Sequence, residues 1–340
     1  MTESPLPETM RAVVWLGKGK LKVITRKVPE HLLGTSIIAL RAAGICATDR
    51  EVTDGRIVGV KSGVVLGHEI AGIVVAGGDD KIFVGNRVVV DTVDPCEECD
   101  SCTQNPPGEC QSPGELGFTA DGGWAQYVRV KTSRLHLIPE NLSWKEAVLS
   151  EPFVIPFGAL LDSEEIIKDK NVLVVGGGIA AIAFTAGLVA LGAKHVDVSL
   201  RSNRRAKLFN EISVKVSSVI AEELKLANAD LSIDAVGNSK SIKNAIAGVK
   251  FRGMVICYGF TDELIDAFPI AEIVLRNLRL SGHTNSSNKW PLVLDLMKSG
   301  EIKTSGLVDR VITLDQVPDA VLNWGENLRT VIRFLDEDLI

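Results

Sequence analysis

The sequence has no surplus of positive charge: 37 Lys and Arg stand against 43 Asp and Glu, for a net charge of −6 and a pI near 5.5. Such a balance gives no electrostatic footprint for nucleic acid or an anionic membrane, so neither is expected as the main partner. The opening Met1-Thr-Glu-Ser-Pro-Leu-Pro7 lacks a basic region followed by an apolar one, so no leader is evident and a cytoplasmic location is expected. There is no 20–50-residue repeat and no low-complexity tract. Cysteine is scarce, with six in 340 residues, and four of the six crowd between positions 96 and 110. Without an export signal, that crowding points to metal before disulfide. A long apolar run does occur from Val172 to Ala193, 22 residues without a charge. It is long enough to span a bilayer as a helix, but three consecutive glycines near its start would break that helix. It reads instead as the doubly buried core of a parallel sheet. Composition is otherwise that of a globular protein, 46% hydrophobic and 24% charged, with length for two cores.

The centre of that run is Val172-Leu-Val-Val-Gly-Gly-Gly-Ile-Ala-Ala181. Aliphatic residues end in glycines and the period then changes from strand to helix, the order that a nucleotide-binding βα turn requires. Gly176 permits the tight turn, Gly178 lets backbone approach a pyrophosphate, and Ala181 is small enough for close helix–strand packing. The N–H groups opening the helix, those of Ile179 and Ala180, face the phosphates, where the helix dipole favours negative charge. A lone G-x-G-x-x-A is weak; the strand–turn–helix context makes it a dinucleotide site.

Before this turn, from Met10 to about Pro139, short strands alternate with glycine turns, as in Arg11-Ala-Val-Val-Trp15, Ser36-Ile-Ile-Ala-Leu40 and Tyr127-Val-Arg-Val-Lys131. After Pro152 strands and helices alternate, which predicts a doubly wound parallel sheet. From about Asn288 the text changes again and ends in a strand, returning to the first domain. The fold expected is α/β: a β-rich domain from residues 1–152 and 288–340, and a dinucleotide-binding domain from 153–287.

Cys96-x2-Cys99-x2-Cys102-x7-Cys110 places four thiolates in 15 residues, in a loop (about 94–112) with Pro95, Pro106, Pro107 and Gly108. Four such ligands can close around one tetrahedral Zn²⁺ as a structural site; an Fe–S cluster is the alternative, and a disulfide pair is the weaker one. Cys46, His68 and Glu151 are more dispersed. Read singly, they are a small core residue, a satisfied polar group and a helix-end charge.

Taken together with the glycine turn, these elements resemble the zinc-containing medium-chain dehydrogenases over nearly the whole chain. The matching elements, in family order, are Gly44-Ile-Cys-Ala-Thr-Asp49, Gly67-His-Glu69, the four-cysteine lobe, Glu151-Pro152, the glycine turn and Asp234-Ala-Val-Gly237. The closing Gly325-Glu-x-Leu-Arg-Thr-Val-Ile-x-Phe334 adds to them. The resemblance implies a groES-like catalytic domain built from both ends of the chain, with a Rossmann domain inserted. It implies that Cys46, His68 and one or both of Glu69 and Glu151 bind a catalytic zinc, the second metal beside the structural one. It also implies that Thr48 hydrogen-bonds the alcohol, that Val236 lines the cofactor site and that Arg329 meets the pyrophosphate. Glutamate rather than cysteine at 151, with Glu69 after His68, looks like the polyol, sugar and threonine dehydrogenase branch. Where many relatives have a relay histidine this chain has Glu51, so either Glu51 accepts the proton or the relay has another exit.

The segment from Gly114 to Gly123 looks like the same stretch in cyclitol and aminocyclitol dehydrogenases. A sugar, polyol or cyclitol is therefore the expected small-molecule substrate. Simple or aromatic alcohols and aldehydes are the runner-up, and a non-catalytic NADPH-binding zinc protein is a third reading. NAD enzymes of this fold place an acid at the end of the second strand, and here that position is Leu200. Asp197 lies three residues earlier, and Arg201-Ser-Asn-Arg-Arg205 follows. Three guanidiniums suit a 2′-phosphate, so NADP is expected at Ser199, Arg201 and Arg204 or Arg205, with NAD the lesser cofactor. The aliphatic run Glu272 to Leu280 is expected to form a sheet edge that pairs copies of the chain into a homodimer or homotetramer.

Overall fold

Two strand patterns, one alternating and one continuously apolar, build the two large sheets, beside which stand two small two-stranded ones. The computed structural model describes residues 6–57, 59–104, 110–163, 167–220, 228–259, 265–284 and 287–335. The chain divides into two units, the first comprising Met1–Glu151, Trp290–Lys298 and Thr304–Ile340, the second Pro152–Lys289 and Ser299–Lys303.

In the first unit a seven-stranded sheet is centred on the long strand Thr35–Ile45, whose neighbours are Ile70–Gly77, Thr330–Arg333 and Tyr127–Lys131. The C-terminal strand thus lies antiparallel beside the strand that leads into Cys46, with Thr330 opposite Ile45. Tyr127–Lys131 alternates buried Val128 and Val130 with the exposed Arg129, the mark of a strand with one wet face. The core beneath is aliphatic, with Trp124 as its largest fully buried side chain.

In the second unit six strands are all parallel, in the order Val216–Ile220, His195–Leu200, Asn171–Val175, Ala229–Asp234, Val249–Cys257 and Arg279–Gly282. Numbered along the chain this is 3-2-1-4-5-6, the doubly wound order whose reversal point lies beside the first strand. Asn171–Val175 is buried from Val172 onward because it is central, with partners on both edges. The helix after it, Ile179–Ala190, is apolar nearly all round and no described helix is long and apolar enough to cross a membrane.

The Glu272 to Leu280 run does not form one strand. Ile270, Ile273 and Val274 repeat at helical spacing, and Ile270–Leu275 is a helix. The chain then turns at Asn277, which takes a φ of 51°, a left-handed conformation that asparagine tolerates. Only Arg279–Gly282 reaches the sheet, as its outermost strand.

Candidate active site

Cys46 is the first residue off the strand Thr35–Ile45 and caps the short helix Ala47–Thr53. Its backbone N–H donates to Asp49 Oδ2 at 2.8 Å, so one carboxylate fixes the turn that carries the thiol. The other oxygen of Asp49 faces His68 Nδ1 at 3.4 Å. A carboxylate beside one ring nitrogen is the arrangement that orients a metal-binding histidine. Burial by itself would lower the His68 pKa; the charges of Asp49 and Cys46 outweigh it and hold the imidazole well above its usual value.

Cys46, His68 and Glu69 bring one ligand atom each within 4.8 Å of one another. Glu69 is fully buried: Oε1 accepts from Arg329 Nη1, while Oε2 has no hydrogen-bond partner among the described residues. A thiolate, an imidazole and a buried carboxylate oxygen without a donor form a set that a divalent zinc fits. Gly44 makes room for it: a Cβ there would lie 1.6 Å from Glu69 Oε2. Trp124 Nε1 donates to the Gly44 carbonyl at 3.1 Å and fixes the same segment from the core side. Glu151 lies outside the three-ligand cluster, yet its carboxyl senses His68, Glu69 and Arg329. Burial pushes it up to about 8.

Arg329 stands behind Glu69 in the first unit, 3% exposed, and also donates to the Ile45 carbonyl at 3.1 Å. Its guanidinium thus holds the Glu69 carboxylate and the backbone just before Cys46, while its own backbone N–H donates to Asp309 Oδ1 at 3.1 Å. Thr48 and Glu51 sit three apart on one helix, and so share a face. Thr48 Oγ1 is 3.5 Å from Cys46 Sγ. Glu51 is gripped by Arg56 through two hydrogen bonds, at 2.5 and 2.8 Å.

The second cluster brings Cys96, Cys99, Cys102 and Cys110 together, with Sγ–Sγ distances of 3.5 to 3.9 Å and no disulfide. A tetrahedron with metal–sulfur bonds of about 2.3 Å has edges of about 3.8 Å, so these thiols fit one zinc ion. Backbone N–H groups of Cys96 and Cys99 already point at sulfur, at 3.3 and 3.4 Å. Lys131 ties the lobe to the sheet through Asp94 at 2.7 Å and Glu97 at 3.4 Å. Pro106, Pro107 and Gly108 lie outside the described residues.

In the second unit Gly176 has φ +138°, closed to side chains, and a Cβ on it would meet Val236 Cγ2 at 3.0 Å. Its N–H donates to the Ser199 carbonyl at 3.0 Å, joining the first strand to the second. Gly178 faces open space, and Ile179 and Ala180 begin the helix there. The second strand ends in Leu200, 2% exposed and packed on Gly177, with no carboxylate at that position. Asp197 pairs with His195 at 3.2 Å in the first half of the strand. Arg205 Nη1 donates to the Gly177 carbonyl at 2.8 Å, Arg201 and Arg204 are exposed, and buried Ser199 has a hydroxyl without a partner among the described residues.

A sheet with the Rossmann strand order, a four-thiol lobe and a Cys–His–carboxylate cluster define a zinc-dependent nucleotide-linked dehydrogenase. The family model for the alcohol dehydrogenase GroES-like domain matches residues 34–140, and that for the zinc-binding dehydrogenase domain matches 178–299. The chain belongs to the zinc-containing medium-chain alcohol dehydrogenases, and is an oxidoreductase. It is 27% identical to a sorbitol dehydrogenase of Bacillus subtilis (strain 168), over 93% of this chain and 94% of that protein. Among solved structures, an inferred zinc-binding dehydrogenase from Sinorhizobium meliloti 1021 with NADP bound is 25% identical, with a TM-score of 0.88 over 96% of this chain and all of the other. An alcohol dehydrogenase, RspB, from E. coli CFT073 with NADH bound is 26% identical, with a TM-score of 0.86 over the same shares.

The roles of Asp49 and Gly44 are not evident from the sequence alone. Asp49 was visible as an acid three residues after a cap, the capping-box spacing. Gly44 opens a motif that the sequence shows, but the reason for a glycine there is the Glu69 carboxylate, which only the fold brings against it.

Proposed function

We propose that this chain oxidises or reduces a secondary hydroxyl or carbonyl of a sugar, polyol or cyclitol with NADP(H) as preferred cofactor. The observation that carries the reading is the ligand set: Cys46, His68 and Glu69 clustered around a buried carboxylate oxygen, with Glu151 close by. Sorbitol, arabinitol and xylulose enzymes among the relatives support the substrate class. Zinc held by Cys46, His68 and one of Glu69 or Glu151 supplies the Lewis acidity that makes an alcohol proton easy to lose. A second zinc belongs to the four-cysteine lobe. Asp49 keeps the histidine in its ligating orientation. The Thr48 hydroxyl accepts the alcohol's hydrogen bond, and Glu51, one turn along the same face and held by Arg56, is the next acceptor toward solvent. The Gly176–Gly178 turn and the helix start at Ile179 and Ala180 would hold the pyrophosphate of a nicotinamide dinucleotide, which would supply the hydride chemistry. The resemblance of the C-terminal motif assigns Arg329 to the pyrophosphate as well, beside its bonds to Glu69 and the Ile45 carbonyl.

For the cofactor, Leu200 leaves the adenosine ribose without its usual acid. The orphan hydroxyl of Ser199 and the guanidiniums of Arg201, Arg204 and Arg205 form a donor-rich, cationic surface suited to a 2′-phosphate. We read the assembly as a homodimer or homotetramer. The test is a panel of polyols, sugars, cyclitols and simple alcohols with NADP⁺ and NAD⁺, run on protein of known zinc content. NADP⁺ should give the higher kcat/KM, and the Leu200→Asp, Arg201→Ala double variant should swing the ratio toward NAD⁺ by roughly 100-fold. Wild-type preference for NAD⁺, or a ratio that does not move, removes the cofactor assignment.

A further inference from the structure

Beside the metal cluster runs a turn that the reaction just described does not use. Gly114–Glu115 pairs antiparallel with Val93–Asp94, with Glu115 opposite Val93. The backbone of Glu115 is fully engaged: its N–H donates to Thr119 Oγ1 at 2.8 Å and its carbonyl accepts from the Thr119 N–H at 2.9 Å. The next N–H, of Leu116, donates to the Thr92 carbonyl at 3.0 Å, so the turn is fastened at its root. At its tip Phe118 lays its ring 5.3 Å from that of His68. The turn therefore forms one wall of the site around a metal-binding histidine.

The side chain of Glu115 stands apart from this network. It is half-buried, and its carboxylate makes no hydrogen bond or ion pair with any described side chain. Of the acids nearby, Asp91 is paired with Arg134, and Asp94 of the neighbouring strand with Lys131 at 2.7 Å. The groups that face the Glu115 charge are His68, Asp49, Asp91 and Glu151. Burial, with the two aspartates, pushes its carboxyl above the usual range against the pull of His68. A carboxylate partly withdrawn from water without a partner carries a desolvation cost that an apolar residue there would not.

We propose that Glu115 is a specificity-determining residue of the substrate pocket, its carboxylate accepting hydrogen bonds from a hydroxyl of the substrate other than the one that reacts. A carboxylate offers two acceptor oxygens, which match adjacent hydroxyls on a polyol and have nothing to bind on a simple secondary alcohol. The proposal rests on the polyol reading, which the same experiment tests separately.

Wild type, Glu115→Leu and Glu115→Gln are compared on butan-2-ol and on whichever of sorbitol, xylitol and myo-inositol the wild type turns over fastest. Zinc content and Tm are measured for each, and titration calorimetry follows binding of the same polyol to the zinc-loaded protein with reduced cofactor. Glu115→Leu should raise the polyol KM by roughly 10- to 100-fold and weaken calorimetric binding in step, with butan-2-ol kinetics changed by less than about threefold. Glu115→Gln, whose carbonyl oxygen still accepts, should fall between. Equal losses on both substrates, or none on the polyol, overturn the role of Glu115 while leaving the polyol reading intact. A wild type that turns over butan-2-ol and none of the three polyols overturns that reading and this proposal with it.

Discussion

Asp49 shows how much of the site hangs on one side chain. Its two oxygens serve the backbone N–H of Cys46 and the ring nitrogen of His68, so a change there disturbs two ligands without removing either. Asp49→Asn keeps an oxygen for the cap but offers the histidine an amide in place of a negative charge. Zinc affinity at the catalytic cluster should fall by roughly 10- to 100-fold, while the four-cysteine lobe keeps its metal. Competition with a chelator, counting metal per chain, reads this directly, and unchanged affinity would mean that His68 is oriented by something else. Cys46, His68 and Glu69, which the fold brings together, each stand in a short run with a recognisable neighbour; Glu151 does too but lies outside that cluster. The role of Gly44 was not legible, since its reason lies in the Glu69 carboxylate that crosses it from another strand. Arg329 could be read as a cation near the end of the chain, but its burial against Glu69 follows from the pairing of Thr330–Arg333 with Thr35–Ile45.

Elements were legible in kind more than in extent. The parallel strands announced themselves as apolar runs, and the glycine turn fixed where the first of them ends. The Glu272 to Leu280 run carries equally aliphatic residues through a helix, a left-handed asparagine and a strand, and composition alone could not divide it. Two elements lend themselves to test. Among the described residues of the cysteine lobe, order comes from a four-residue helix, Asp100–Thr103, from the clustered thiols and from a few polar contacts, with little buried surface. Cys99→Ser should therefore lose one zinc per chain and lower the Tm, because ligand binding there is folding energy; a variant with full zinc content would refute a four-thiol site. In the strand Leu135–Leu137, His136 stacks on Trp290 at 5.3 Å and 8°. Burial, with Arg134 beside it, lowers this imidazole to about 4. The unfolded chain takes up its proton near pH 6.5 and the folded chain only near 4, so the unfolded state binds more protons between those values. Stability contributed by neutral His136 is thus complete above about pH 6.5 and falls as pH drops, by about 1–2 kcal/mol between pH 7 and 5. His136→Phe keeps the stack without the charge, and its Tm should decline less than the wild type's over that interval. Parallel declines would locate the acid sensitivity elsewhere.

Assembly turns on how the second sheet ends. Arg279–Gly282 is its outermost strand, hydrogen-bonded on one side to Val249–Cys257, with all four residues exposed. Beside it the helix Ile270–Leu275 leaves Ile270, Val274 and Leu275 more than 60% exposed, and Leu280 on the strand itself is 37% exposed. Unpaired backbone flanked by aliphatic side chains invites addition of another strand, and proteins that leave such an edge bare risk aggregation. No proline or bulge blunts it among the described residues: the partner register runs unbroken from Met254 opposite Arg279 to Cys257 opposite Gly282. A second copy related by a two-fold axis would satisfy both edges at once, since the same patch serves on each side. Light scattering at micromolar concentration should therefore find a dimer or a dimer of dimers. Leu280→Lys, which puts a charge on the pairing edge, together with Leu275→Glu on the flanking helix, should shift the mass toward monomer while each chain keeps its zinc. A wild type that is monomeric at that concentration would show that the edge is covered from within the chain, and a double variant that remains dimeric would move the interface to another face.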